Sequence, residues 1–208
     1  MAIMSAALPA PLEGGQHRRP IIAAAIELTA QSGWSSVTMA RLAEVVGVSR
    51  QTVYNEIGSK TALAEAMVSH ELARFLSVVD TAFERHPDDL VEAFYEAVRA
   101  VLELADDNLL LQAIASATHG TAHELLPLLT TQAGSLLKQA KAMLATRVPA
   151  YRPDLTDEQL TAVIDVVVRT VLSHVMQPSD TPARTADALA WVAARVLGLD
   201  ATPPLRHR

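Results

Sequence analysis

The 208-residue chain is 50% hydrophobic and 19% charged, which supplies a sizeable core and excludes an intrinsically disordered chain. It has no cysteine, so a disulfide scaffold, a thiolate zinc site, an iron–sulfur cluster and a cysteine nucleophile are all excluded. The net charge of −6 argues against a general nucleic-acid binder, but it is uneven: His17–Lys60 carries five Lys/Arg against three acids, and the rest is acidic.

Residues 1–17, rich in Ala, Pro and Gly, read as a flexible tail. They have no positively charged start before an apolar run, and later apolar stretches are broken by charge before about 18 residues. The expectation is a cytoplasmic protein without a membrane span. From Pro20 onward, Ile21, Ile22, Ala25, Ile26, Leu28 and Thr29 recur at helical spacing until Gly33. A second helix runs from about Met39 to Val46 after the N-cap Thr38, with Leu42, Val45 and Val46 on its apolar side. Gly47-Val48-Ser49 breaks it, and Ser49 caps a third helix, Arg50 to Ile57. Beyond Gly58, Ser59 caps a long fourth helix to about Glu84.

Five more helices are expected: Asp88 to Leu104, Asp107 to Thr118, Pro127 to Arg147, Thr156 to Met176, and Thr181 to Gly198. The fourth of these opens with a capping box, Thr156 to Gln159. Asp88, Asp89, Asp106 and Asp107 read as helix-start residues. No segment alternates with a period of two, so the fold class is all-α with nine helices. The expected domains are 18–62 and 63–200, with a C-terminal tail over 201–208.

Val37–Lys60, VTMARLAEVVGVSRQTVYNEIGSK, carries the sharpest chemical signal. Two short helices flank a three-residue turn, the layout of a helix-turn-helix. Ala43 is small enough to let the helices approach, Gly47 suits a left-handed turn, and Val48 and Val53 staple the second helix to the first. Arg50, Gln51, Thr52, Tyr54 and Asn55 are then presented outward. Arg50 and Gln51 stand at the helix N-terminus, the part that reaches base edges in such motifs. Arg pairs with guanine, and Gln or Asn with adenine. Thr38, Ser49 and Lys60 lie at helix starts, where free backbone N–H groups favour a phosphate.

This stretch resembles the DNA-binding region of the TetR family of bacterial transcriptional regulators. The pattern is met at Thr38, Leu42, Ala43, Gly47, Val48, Ser49, Thr52, Val53, Tyr54, Ser59 and Lys60. The first helix, with Ala25, Leu28 and the Gly33-Trp34 turn, resembles the family too, so the likeness covers about Arg18–Leu63 closely. One departure stands out: the family's usual His-Phe pair is Glu56-Ile57 here, and a carboxylate repels a phosphate. The resemblance implies a nine-helix architecture in which an N-terminal DNA-binding head joins a larger effector-binding and dimerisation body. It implies a homodimer on a palindromic double-stranded operator, usually acting as a repressor that a small effector releases.

For the body, the resemblance implies dimerisation through the last two helices, and Val163, Val167, Val171, Leu189, Ala193 and Val196 are the expected contacts. The expected effector residues are the apolar Phe94, Val98, Leu102, Leu111, Ile114 and Met143 and the polar Thr118, His119, Arg169 and His174. The aliphatic run Leu109–Thr118 points to an apolar effector. Plainer readings stand beside these: an apolar stripe also suits ordinary core, and Arg169 follows Asp165 by one helical turn, as an ion pair does. His119 and His123 are one turn apart, but Gly120 lies between them and no H-E-x-x-H pattern exists, so no metal is expected. The chain has no G-x-S-x-G, no P-loop and no dinucleotide glycine fingerprint, hence no expected cofactor or catalytic residue. A helical interaction protein with a disabled head is the alternative that Glu56 keeps open.

Overall fold

A computed structural model describes residues 15–116 and 133–198. Among the described residues are nine α-helices and two short 3-10 turns, without a strand. The helices are α1 (Arg18–Ser32), α2 (Met39–Val46), α3 (Arg50–Ile57), α4 (Lys60–Arg85), α5 (Leu90–Asp106), α6 (Leu109–Ser116), α7 (Ala133–Arg147), α8 (Asp157–Met176) and α9 (Pro182–Val196).

Local side chains set most of the helix starts. Thr38, Ser49, Ser59, Asp89 and Thr181 each accept a backbone N–H three residues on. Thr156 and Gln159 close a full capping box. At α6 the sequence reading is corrected: Asn108, not Asp107, serves the first turn, its Oδ1 accepting the Leu111 N–H at 2.9 Å. A buried amide fits there where an ionised carboxylate does not, because Asn108 is 2% exposed.

The head packs α1 to α3 and the start of α4 around one apolar cluster. Ile21, Ala25, Leu42 and Val53 are fully buried within it, and Trp34 and Val37 close it from the connecting turn. A distant residue completes this cluster: Leu110 of α6, 2% exposed, packs with the head core. The first turn of α6 is therefore a joint between head and body.

In the body α4 packs on α5, α5 on α9, and α7 on α8. Small residues allow the close approaches, with Ala93, Ala97 and Ala186 almost fully buried. Polar ties hold the outer helices. Arg147 of α7 reaches Asp80 and Glu84 of α4. The Tyr151 hydroxyl donates to the His86 carbonyl at 2.8 Å, and its ring stands edge-on to Phe83 with centroids 6.0 Å apart. Burial pushes this phenol above its ordinary range. Lys141 of α7 and Arg169 of α8 both donate to Asp165 at 2.9 Å. These hydrogen bonds, Lys141's first, hold the Asp165 carboxyl below the ordinary carboxylate range.

Among the described residues one helix, α8, is long and apolar enough to cross a membrane by length and composition, with Asp165 and Arg169 inside it. In the fold those two charges pair with each other and with Lys141.

Two outcomes follow from this packing. Leu110→Ala removes a buried side chain at the joint and should lower unfolding free energy by about 2–5 kcal/mol; urea denaturation measures it, and a loss below about 0.5 kcal/mol contradicts the joint. Asp165 has a lower value folded than unfolded, so its contribution is complete at neutral pH and is lost as pH falls through the folded value. The gap in melting temperature between wild type and Asp165→Asn should therefore be widest near neutrality and close below the ordinary carboxylate range.

Candidate nucleic-acid interface and ligand cavity

The orientation of α3 follows from its two buried residues. Val53 is fully buried and Ile57 nearly so, and both join the head core beside Leu42. Gly47 adopts φ 75° and ψ 33°, the left-handed turn that aims α3 away from α2. With that face buried, Arg50, Gln51, Tyr54 and Asn55 are left exposed on the opposite side. Gln51 Nε2 donates to Asn55 Oδ1 at 2.9 Å, so the two amides form one preordered polar pair.

The remaining head residues are more engaged. Ser49 Oγ accepts the Thr52 N–H at 3.0 Å and lies 2.9 Å from Thr52 Oγ1, so Thr52 is half-buried against its own cap. Thr38 accepts the Arg41 N–H at 3.2 Å. Lys60 stands at the start of α4 with its ammonium 4.8 Å from the centroid of the Trp34 ring, a cation–π contact that orders the charge. Glu56 Oε1 accepts the Gly15 N–H at 3.1 Å, and the Glu56 carbonyl accepts from Arg18. The carboxylate thus has a backbone N–H partner just before α1, and Arg18 of α1 lies beside it on the Glu56 carbonyl. Val45, expected on the apolar side of α2, is instead 54% exposed, because Leu42 and Ala43 already fill the contact.

The second feature is a cavity of about 200 Å³ between α4, α5, α6, α7 and α8. That is over ten times the room one water needs, on the order of 10–15 Å³. Its wall is largely aliphatic and aromatic, with Phe75, Phe83 and Phe94 its larger side chains among Val, Leu and Met. Of the expected effector residues, Phe94, Val98, Leu111 and Met143 line it. Leu102 and His174 do not: they border a crevice of about 10 Å³ beside α9, room for one water at most. His174 is held there with Ser179, 3.2 Å from its Nδ1. Arg169 is exposed and ion-paired to Asp165, outside the cavity wall. Thr118, His119 and His123, and the side chain of Ile114, lie outside the described residues.

The six expected dimer contacts differ in exposure within the single chain. Val167 and Val171 line the cavity. Val163 is half-buried, Leu189 packs on the Val98–Leu102 cluster, and Ala193 is buried; Val196 alone of the six is exposed. Exposed apolar side chains lie at Val166, Leu172 and Met176 on α8, the last two also on the cavity wall, and at Trp191, Val192 and Val196 on α9. Sequence reasoning missed two polar cavity residues, Glu71 and Asn108. The signal for Glu71 was there: it occupies the apolar stripe of α4 between Met67 and Phe75, one turn from each.

Comparisons with known proteins agree with this geometry. Residues 21–67 match the family described as "Bacterial regulatory proteins, tetR family". Residues 89–195 match "Bacterial Tetracyclin repressor, C-terminal domain". The HTH-type transcriptional regulator AlkX of Mycobacterium tuberculosis is 29% identical over 174 residues, spanning 83% of this chain and 81% of its own. The crystal structure of the TetR family repressor AlkX from Dietzia sp., implicated in biodegradation of n-alkanes, aligns with a TM-score of 0.69 and 26% identity, over 87% of this chain and 95% of that one. A TetR-family regulator from Mesorhizobium loti aligns at 0.62 with 16% identity, over 89% and 98%, and attests the fold alone.

The exposure of α3 yields a clean separation of effects. Arg50→Ala should weaken binding to a selected duplex about 10- to 150-fold, the worth of one bidentate base contact. It should leave stability within about 0.5 kcal/mol. Fluorescence anisotropy beside a thermal melt measures both, and unchanged affinity contradicts the assignment.

Proposed function

Since this chain belongs to the TetR family of bacterial transcriptional regulators, we propose that it is a repressor that binds a palindromic operator as a homodimer and leaves it when a small apolar ligand enters the cavity. The family consists of regulators rather than enzymes. The head, about residues 18–62, carries the operator contacts, and the body, about 63–200, carries the ligand and the second protomer.

The contacts assigned to DNA are Arg50, Gln51 and Asn55 on base edges, and Thr38, Ser49, Thr52, Tyr54 and Lys60 on phosphate and sugar. A hydroxyl that accepts a backbone N–H still has its own hydrogen to donate, so the capping roles of Thr38 and Ser49 are compatible with a phosphate contact. The dimer interface is assigned to the open face of Val166, Met176, Trp191, Val192 and Val196. Large exposed apolar side chains on two neighbouring helices favour a four-helix contact with the same face of a second copy.

The single observation that carries the release mechanism is the position of α6. Leu110 belongs to the head core, and Leu110 and Leu111 both line the cavity. A ligand that fills the cavity presses on α6 and α4 among its walls, and a movement of either reorients the head. It shifts the population only by its differential affinity for the two head spacings. The aliphatic wall favours a long apolar ligand, and the link of the Dietzia relative to n-alkane breakdown is in keeping with that chemistry.

Selection of the purified protein on random duplex DNA at fixed, near-physiological salt tests this reading. The expected product is a palindrome with half-sites about one helical turn, or a multiple of it, apart. No enrichment by folded, dimeric protein overturns it. In the same assay Trp191→Glu with Val196→Glu should give a monomer by light scattering and lose the palindromic preference; a dimer that keeps it contradicts the interface.

A further inference from the structure

Among the described residues the cavity wall is apolar except at one point. Glu71, 6% exposed, and Asn108, 2% exposed, both line it where α4 meets the first turn of α6. Asn108 Oδ1 is used by the Leu111 N–H, which fixes the amide orientation, and Nδ2 donates to Glu71 Oε2. Arg74 Nη1 donates to the same oxygen at 2.9 Å. Both hydrogen bonds to Glu71 thus fall on Oε2, and Oε1 has no hydrogen-bond partner among the described residues. Asn108 Nδ2 keeps one of its two hydrogens unused. A carboxylate oxygen and an amide hydrogen, neither with a partner among the described residues, therefore stand together on the wall of a hydrocarbon-lined space. Such groups are costly to leave unmade.

We propose that Glu71 and Asn108 are the specificity-determining pair of the cavity and that its ligand is an aliphatic molecule ending in a neutral hydroxyl, a long-chain alcohol. This rests on the reading of the cavity as a ligand site. A hydroxyl both donates and accepts, so one oxygen serves Glu71 Oε1 and Asn108 Nδ2 together. A hydrocarbon leaves both unmade. A carboxylate of the same length sets a second negative charge against Glu71 in a low-dielectric space. An ammonium meets a carboxylate whose charge Arg74 already partly offsets and must still be stripped of water. The same pair starts α6, whose Leu110 sits in the head core, so the polar end of the ligand meets the joint itself.

Titration of the intact dimer with 1-decanol, n-undecane, decanoate and decylamine, read by isothermal calorimetry and thermal shift, tests the assignment. The hydrocarbon is matched to the alcohol in heavy atoms and is delivered from cyclodextrin. Decanol is expected to bind at least about tenfold more tightly than undecane, the worth of a hydrogen bond to a charged group. Decanoate and decylamine are expected to be weaker than decanol. Glu71→Leu should erase the difference between decanol and undecane, and Glu71→Gln, which keeps the shape and a hydrogen-bonding group, should leave part of it. Undecane binding by Glu71→Leu shows that its cavity is intact; if that variant does not fold, Glu71→Gln alone must narrow the preference. Equal binding of decanol and undecane by the wild type overturns this inference and leaves the apolar-ligand reading standing. Tighter binding of decanoate or decylamine overturns the neutral-hydroxyl assignment. No binding by any of the four overturns both.

Discussion

Everything above depends on how the first turn of α6 is held. Leu110 is buried in the head core, and Asn108, two residues earlier, is buried against Glu71 of α4. One side of the turn is fixed by apolar packing and the other by a hydrogen bond to a carboxylate that Arg74 partly neutralises. Burying a side-chain amide and a carboxylate is eased by the hydrogen bond that joins them. The head is consequently not a separate three-helix unit hung on a long helix: its core is completed from the body.

The body meets a conflicting demand. Its helices must pack well enough to fold, yet α4, α5, α7 and α8 keep a space between them. The conflict is resolved by position. Small residues bring α5 close to α4 and α9, where Ala93, Ala97 and Ala186 are buried. The larger side chains, Phe75 and Phe94 among them, stand around the space without filling it. At the rim, Arg147 with Asp80 and Lys141 with Asp165 hold α7 to its neighbours. A cavity with one wall shared with the head suits a molecule whose ligand is felt at the DNA surface.

The sequence disclosed the head almost completely, because each of its features is local. Gly47 must be left-handed, Ser49 must cap, and Val53 must be buried; the exposure of Arg50, Gln51, Tyr54 and Asn55 follows from helix period alone. The body was legible as helices but not as faces. α8 is apolar nearly all round, and successive residues are about 100° apart, so period could not say whether Val167 or Val166 faces outward. The fold turns Val167 and Val171 to the cavity and leaves Val166 exposed. Arg169 could be read either as a ligand anchor or as the partner of Asp165, and the fold makes it the partner. Glu71 and Asn108 are 37 residues apart and meet only in three dimensions, so no local pattern joins them. Glu56 was a puzzle for the same reason: its partners, Gly15 and Arg18, lie on the first helix and the residues before it.

The account comes to one claim: ligand in the cavity and head spacing in the dimer are coupled through α6. The natural chain has no cysteine, so Glu44→Cys on the exposed side of α2 places one spin label on each head. The direct measurement is the distance distribution between the two labels, by pulsed electron resonance, with and without saturating decanol. With operator bound, the heads should sit where their recognition helices are about 34–36 Å apart. The account predicts that decanol moves the distribution away from the operator-bound one, and that Leu110→Ala weakens this response. An identical distribution with decanol bound and absent would contradict it.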